Sequence, residues 1–390
     1  MKDLLSIKIS DKGLFFVDIS QFGIAFSFNF IMAFLPFYII KVSPFGPKET
    51  MIWIGMIIGA SSITAAFAAP LWGKLTSRVR PKFLYEMGIL SNGIICLLMG
   101  FAENLYLLLL LRIILGGLGA ISTVGLVLIS SSSTKENLHR DISLYQNSMT
   151  AGQLISPPLG AYAVTLFGYR AAFAFAALIV FIFFAFCHRY VKDIPLPKED
   201  FPAGRSLAKG ILWGWVLSCV ATVHLTFLPS ILPHILEDFQ IVGEAALNTA
   251  GIIMMAYTAT AILGNYFISV FFSKQYLNRV ILFACLSAAL FQFLLIFSRG
   301  VLSFTIIRML QTGAIAAVFP FIVSLFAPRG GGGTLGFLNS SRFAGNFIAP
   351  LMATSVLAYS NFFTLYLIIT GLTIISVWAF LVSTKAFKSF

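Results

Sequence analysis

The sequence predicts an all-α membrane protein: twelve transmembrane helices arranged as two pseudo-symmetric six-helix bundles. Three observations carry this. The 390 residues are 59% hydrophobic and only 10% charged, whereas a soluble domain carries about 25% charge. Apolar runs long enough to cross about 30 Å of hydrocarbon recur along the whole chain. Landmarks of the first half return in the second, in the same order.

The first set of apolar runs covers roughly 13–40, 50–72, 83–102, 105–130, 142–166 and 171–190. The second covers roughly 210–236, 246–272, 280–298, 301–327, 335–358 and 363–384. They are numbered here as spans 1 to 12. The runs are continuous rather than alternating, as helices require and barrel strands do not. Residues 1–190 form the first bundle and 210–390 the second. The polar stretch 191–209, with its Pro, Gly and mixed charges, reads as a linker.

Three landmarks repeat. Phe34-Leu35-Pro36 returns as Phe227-Leu228-Pro229, and the segment Gly152 to Pro157 returns as Gly345 to Pro350, both at an offset of 193. Arg112, at the head of a small-residue run, returns as Arg308 at an offset of 196. Six spans bring the chain back to its starting side, so the repeats are parallel. Parallel or inverted duplication of a helical bundle is characteristic of secondary transporters.

The net charge of +12 excludes nothing by itself, but its placement does. Of 26 Lys and Arg, 19 fall on the side of the membrane holding both termini, and only Lys41, Lys48, Arg170 and Arg299 on the other. That asymmetry orients both termini to the cytoplasm and leaves no basic groove for nucleic acid. The remaining three, Arg112, Arg308 and Arg342, lie within spans. Cys96, Cys187, Cys219 and Cys285 all sit in apolar runs and read as free buried thiols. Met1 to Lys12 is polar and the run after it is too long for a signal peptide, so that run is expected to remain as span 1.

At this point the residues resemble the major facilitator superfamily, and within it the twelve-helix, proton-driven drug and small-molecule exporters. Gly73, Leu75, Arg78 and Lys82 match that family's loop after span 2, G-x-L-x-D-R-x-G-R-K, with Ser77 in place of the acid and Arg80 in place of the second glycine. Arg112 with Gly116 and Ala120 matches the span-4 motif associated with proton coupling. Gly152 to Ala161, including Pro157 and Pro158, is similar to the span-5 antiporter motif, with Ser156 and Ala161 replacing glycines. The resemblance implies alternating access by rocking of two halves, with spans 1, 4, 7 and 10 around a cavity. A serine at 77 offers a neutral cap where a carboxylate would gain from a helix dipole. A weaker latch is therefore expected, one that Ser77→Asp would tighten.

A charge at bilayer depth is costly and marks function. Arg112 and Arg308 are both expected about 10 Å deep, at 1.5 Å per residue, lining a water-filled cavity. There Arg112 would hold an anionic group or couple to protons through a nearby carboxylate. Asp18, near the inner end of span 1, is a candidate proton carrier whose depth argues against pairing with Arg112. His224 is the histidine at mid-span depth, either a hydrogen-bonded core residue or a protonatable site. Arg342 contacts substrate or faces the inner mouth. Gly73, Ser77, Arg78, Lys82, Gly152, Pro157, Pro158, Gly345 and Pro350 form the expected gating motifs, since proline bends a span and small residues allow close contact. Glu86 pairs with Lys82 at i,i+4.

No metal is expected, because His234 and Glu237 alone do not make a site. No cofactor is expected either: Arg329 to Thr334 (RGGGGT) lacks the Lys-Ser/Thr ending of a phosphate loop and reads as a joint between spans 10 and 11. The absence of HExxH and GxSxG argues against an enzyme.

The expectation is a monomer in the inner membrane of a bacterium, working with protons, a small-molecule substrate and the lipid bilayer as partners. The span arginines outnumber Asp18, so an anionic or carboxylate-rich solute, siderophore-like, is favoured for export. Efflux of amphiphilic cationic compounds and import by the same fold are the alternatives; a channel is less consistent with duplicated halves.

Overall fold

The computed structural model describes residues 12–76, 78–118, 121–133, 138–192, 209–271 and 277–386. All regular structure among them is helical. In chain order the helices are α1 (Lys12–Val42), α2 (Pro47–Leu75), α3 (Pro81–Met99), α4 (Leu105–Leu118), α5 (Ile121–Ser132) and α6 (Leu138–Tyr190). After the expected linker, most of which lies outside the described residues, come α7 (Lys209–Thr226), α8 (Leu228–Asp238), α9 (Gly243–Phe271), α10 (Leu277–Leu294), α11 (Val301–Ile315), α12 (Val318–Tyr359) and α13 (Phe362–Ala386).

Local chemistry sets several starts. Pro47 and Pro81 open α2 and α3, where a missing N–H costs nothing. Asn104 and Asn361 cap α4 and α13, each side-chain oxygen accepting a backbone N–H three residues on, from Leu107 and Thr364, at 2.9 Å.

Two helices are each two membrane crossings. In α6 the break is Gly168, at φ 79° and ψ 170°, a conformation open to glycine. Before it the chain runs parallel to α1: Tyr145 meets Gln21, and Gly160 abuts Phe30. After it the chain runs back, with Phe173 beside Phe34 and Tyr190 stacked on Phe16. In α12 the guanidinium of Arg342 lies 5.2 Å from the ring centre of Phe319. A straight helix would hold them about 34 Å apart, so the chain doubles back between them. The helical bonding pattern continues through the glycine run there, where a slack joint was expected, but the reversal occurs as expected. Span 7 is the bent pair α7 and α8, at 40°. Span 4 is α4 with α5, and span 10 is α11 with the head of α12. Among the described residues the crossings thus number twelve.

The buried residues explain how the halves sit. One apolar core, at the helix ends remote from Lys12 and Ala386, mixes both halves: Phe34, Ile57 and Leu108 with Phe227, Ile231, Ile253 and Leu365. At the other end there are two separate cores. Tyr85, Val124 and Val180 belong to the first half, and Ile281, Ile322 and Phe380 to the second. The molecule is therefore sealed at the end away from its termini and parted at the end near them.

The seal is made by glycines. A Cβ on Gly55 of α2 would lie 2.9 Å from Leu351 Cα and 3.0 Å from Pro350 O of α12. A Cβ on Gly251 of α9 would lie 2.8 Å from Pro158 Cα and 2.9 Å from Pro157 O of α6. Gly55 and Gly251 are themselves offset by 196, so each half offers its glycine to the other half's proline segment. Lipid supplies no hydrophobic drive between helices, and close backbone approach at small residues takes its place.

Candidate functional site

Arg112 is 1% exposed. Its Nε donates to Ile57 O at 3.0 Å and its Nη2 to Ile58 O at 2.9 Å, binding α4 to α2. Met32 Sδ lies 3.7 Å from Nη2 and the Phe28 ring centre 5.2 Å from the guanidinium. Arg308 is 0% exposed and lies between Phe227 and Tyr257, whose ring centres are 4.8 and 4.9 Å away. Its Nη1 donates to Gln311 Oε1 and its Nη2 contacts Leu225 O at 3.4 Å. That carbonyl is available because Pro229, four residues on, has no N–H to donate to it.

Both arginines were expected to look into a wet cavity. The structure corrects this: in this conformation each is enclosed by its own half and donates to protein acceptors there, and neither faces lipid. The helix–helix contact beneath them repeats as well. A Cβ on Gly116 would strike Ser61 O and Thr64. At the equivalent position, Thr312 Oγ1 donates to Tyr257 O at 3.1 Å and lies 3.1 Å from Thr260 Oγ1.

His224 belongs to the Arg308 network. Gln311 Nε2 bonds His224 Nδ1 and donates to Gln292 Oε1 at 3.1 Å. His224 Nε2 lies 2.6 Å from Thr373 Oγ1, which donates onward to Ile369 O at 2.7 Å. The side chains of His224, Gln311, Gln292 and Thr373 are fully buried. Arg308 Nε and Gln292 Nε2 are buried donors without a partner.

Asp18 of α1 is buried, and its Oδ1 has no hydrogen-bond partner. It does not pair with Arg112, which is spent on Ile57 O and Ile58 O. Its surroundings are Tyr85, which donates to Val17 O at 3.4 Å, Tyr145, which donates to Gln21 Oε1 at 2.7 Å, and the like charge of Asp141.

Arg342 differs from the other two span arginines: it is exposed. It falls on one stripe of α12 with Asn339 and Asn346, at helical spacing. Moving back by 193 gives Gln146, Met149 and Gln153 on α6, also at least partly exposed. Each half thus carries a polar stripe, and one of the two has a charge at its centre. The sequence reading missed these amides; the same self-comparison that found the prolines would have found them.

The other expected gating positions are distributed. Gly73 lies in the last turn of α2, Ser77 lies outside the described residues, and Arg78 is exposed. Lys82 Nζ is 3.5 Å from Glu86 Oε1 and donates to His188 O at 3.0 Å. Gly152 fits against Phe22 O of α1, where a Cβ would come within 2.6 Å, and Gly345 against Cys219 O of α7, within 2.8 Å. Pro157 and Pro350 are buried at the seal, with Pro158 partly so. The four cysteines are free and buried. No metal-ligand cluster is present among the described residues.

A family model described as Major Facilitator Superfamily matches residues 17–223. The chain is 24% identical over 369 residues to "Multidrug resistance protein MdtG" of Klebsiella pneumoniae (strain 342), covering 89% of this chain and 87% of that one. It is 23% identical over 374 residues to the protein of the same name from Rahnella sp. (strain Y9602), covering 92% and 90%. Among solved structures, a D-xylose-proton symporter superposes with a TM-score of 0.77 at 13% identity, covering 94% and 96%. The nucleoside transporter NupG superposes at 0.74 and 16%, covering 95% and 99%.

Proposed function

The chain belongs to the major facilitator superfamily, and on that premise we propose that it exports small amphiphilic organic molecules in exchange for protons across a bacterial inner membrane. Residues 1–190 and 210–390 are the rocking units, 191–209 the linker, and both termini are cytoplasmic, in keeping with the Lys and Arg asymmetry. The single observation that carries the reading is the core arrangement: one apolar seal shared at the far end, two separate cores at the near end. That arrangement supports a carrier open on the side of its termini, the state in which an exporter would load. The gate is the pair of glycine–proline contacts, Gly55 with Pro350 and Gly251 with Pro157 and Pro158.

The polar stripes are the proposed chamber walls, with Gln146 and Gln153 facing Asn339 and Asn346. Arg342, backed by Phe319, is the anion contact. With Arg112 and Arg308 turned into their own bundles, it is the guanidinium left for a substrate. A compound with an apolar body and a carboxylate fits best, which includes carboxylate siderophores. Asp18, buried without a cation, is the proposed proton carrier of the first half. A second reading, broad drug efflux including cations, is favoured by the relatives' name.

The test is uptake into inverted vesicles holding the full chain, with a citrate-type siderophore and a cationic dye as probes. Acid uptake should need the proton gradient, and Arg342→Gln should raise its KM tenfold or more. Transport of the dye alone, or acid transport indifferent to Arg342→Gln, would favour the second reading.

A further inference from the structure

The hydrogen bonds around His224 have only one consistent direction. A guanidinium donates and never accepts, so the Gln311 atom facing Arg308 is its carbonyl oxygen. The amide nitrogen of Gln311 then faces His224, and it can only donate. His224 Nδ1 is therefore a lone pair, and the imidazole hydrogen sits on Nε2, directed at Thr373 Oγ1. Thr373 uses its own hydrogen on Ile369 O, so its oxygen is free to accept. The second Gln311 hydrogen goes to Gln292 Oε1, which turns the Gln292 amide nitrogen away. That accounts for its being a buried donor without a partner.

We propose that His224 is a proton-binding site of the second half, held shut in this conformation by the Arg308–Gln311 pair and opened when Arg308 leaves Gln311. While Arg308 holds the carbonyl, a proton on Nδ1 would meet an N–H donor. Once Arg308 withdraws, the amide turns over, Gln311 Oε1 faces His224, and Nδ1 takes a proton that the carbonyl accepts as a hydrogen bond. Reversal expels it. The site thus binds or releases one proton according to where a guanidinium sits, with no carboxylate as partner.

Arg308 of α11 lies within electrostatic reach of His224, and Tyr257 of α9 and Tyr366 of α13 within reach of Arg308; the surrounding helices also carry His234, Glu237 and Asp238 on α8, Glu244 and Tyr266 on α9, Arg279 and Cys285 on α10, Arg342 and Tyr359 on α12, and Cys219 on α7 itself. Tyr366 lies within electrostatic reach of both Arg308 and Asp238. Asp238 and Tyr366 also line a cavity of about 110 Å³ near the end of the molecule away from the termini, with Phe304.

The inference rests on the proton-driven reading, but its test reads the imidazole and not transport. The full chain, labelled with ¹⁵N-histidine, is purified in nanodiscs, and the His224 signals are identified by their loss in His224→Asn. The expected result is a neutral Nε2–H imidazole that stays neutral from pH 8 to pH 5. In Gln311→Glu, whose side chain accepts from Arg308 and His224 alike, the same ring should be doubly protonated across that range, and gradient-driven flux should fall at least tenfold. A wild-type ring with hydrogen on Nδ1, or one that becomes doubly protonated in the wild type between pH 8 and pH 5, overturns the proposal. If Gln311→Glu does not fold, the wild-type tautomer still decides. If the ring is as assigned but flux survives dissipation of the gradient, it is the proton-driven reading that falls.

Discussion

Arg112 and Arg308 occupy the same place in the two halves and have been given different company. Arg112 ends on two backbone carbonyls, Ile57 O and Ile58 O. Arg308 ends mainly on a side chain, Gln311, which passes the contact to His224. The positions equivalent to Gln311 and His224 in the first half, at offsets of 196 and 193, are Leu115 and Ile31, both buried. The duplicated scaffold keeps the arginine, while the second half has surrounded it with groups that respond to its position. A buried charge on fixed carbonyls is a strut. One on a reversible amide transmits its own displacement.

The largest effect that would break this comparison is expected from replacing each arginine with Met. Arg308→Met strands the Gln311 carbonyl and unsettles the whole network, and transport should drop by a hundredfold or more. Arg112→Met removes hydrogen bonds to carbonyls, and lost charge-assisted bonds cost about 1.5–3 kcal/mol each. It should lower thermal stability in detergent at least as much while leaving the pH profile of residual flux unchanged. Equal changes in pH profile would dissolve the distinction.

A smaller effect sharpens it. Gln311→Leu alone leaves His224 without its donor, and an orphaned buried polar group costs about 1–3 kcal/mol. The double change His224→Ile with Gln311→Leu gives the second half the first half's residues. It should recover most of that stability while losing pH-dependent flux. A double variant no more stable than the single one would show that the two residues do not act as a unit.

Smallest is the pair of glycine contacts. Gly251→Ala meets proline backbone on α6 at 2.8 Å, and Gly55→Ala meets backbone of α12 at 2.9 Å behind the Thr354 side chain. Either change should loosen the far end, seen as severalfold faster labelling of a cysteine placed at that end. A variant that labels no faster than the wild type would mean that its contact is not part of the seal.

Much of this was legible in the chain. The apolar runs gave the crossings, and the recurrence of Phe-Leu-Pro, of the small-residue proline segment and of the arginine gave the halves. The glycine run at 330–333 marked the reversal, although backbone helicity persists through it. The arginines' orientation was not legible. Their partners are carbonyls and amides on other helices, and a backbone carbonyl has no residue identity to read. Gly55 and Gly251 were hidden among many small residues, although their spacing of 196 repeats that of the arginines. Proline at 36 and 229 looked equivalent, yet α1 runs on through Pro36 while span 7 breaks at Phe227, two residues before Pro229.

That break has a mechanical consequence. A span bent by 40° at Phe227 has a knee, and the guanidinium of Arg308 rests in it, on the carbonyl of Leu225. Straightening the knee would move that carbonyl away from its visitor, so span 7 and Arg308 must shift together. A pull on the outer end of α8 would then arrive at the imidazole, one helix turn below, as a change in what it can bind.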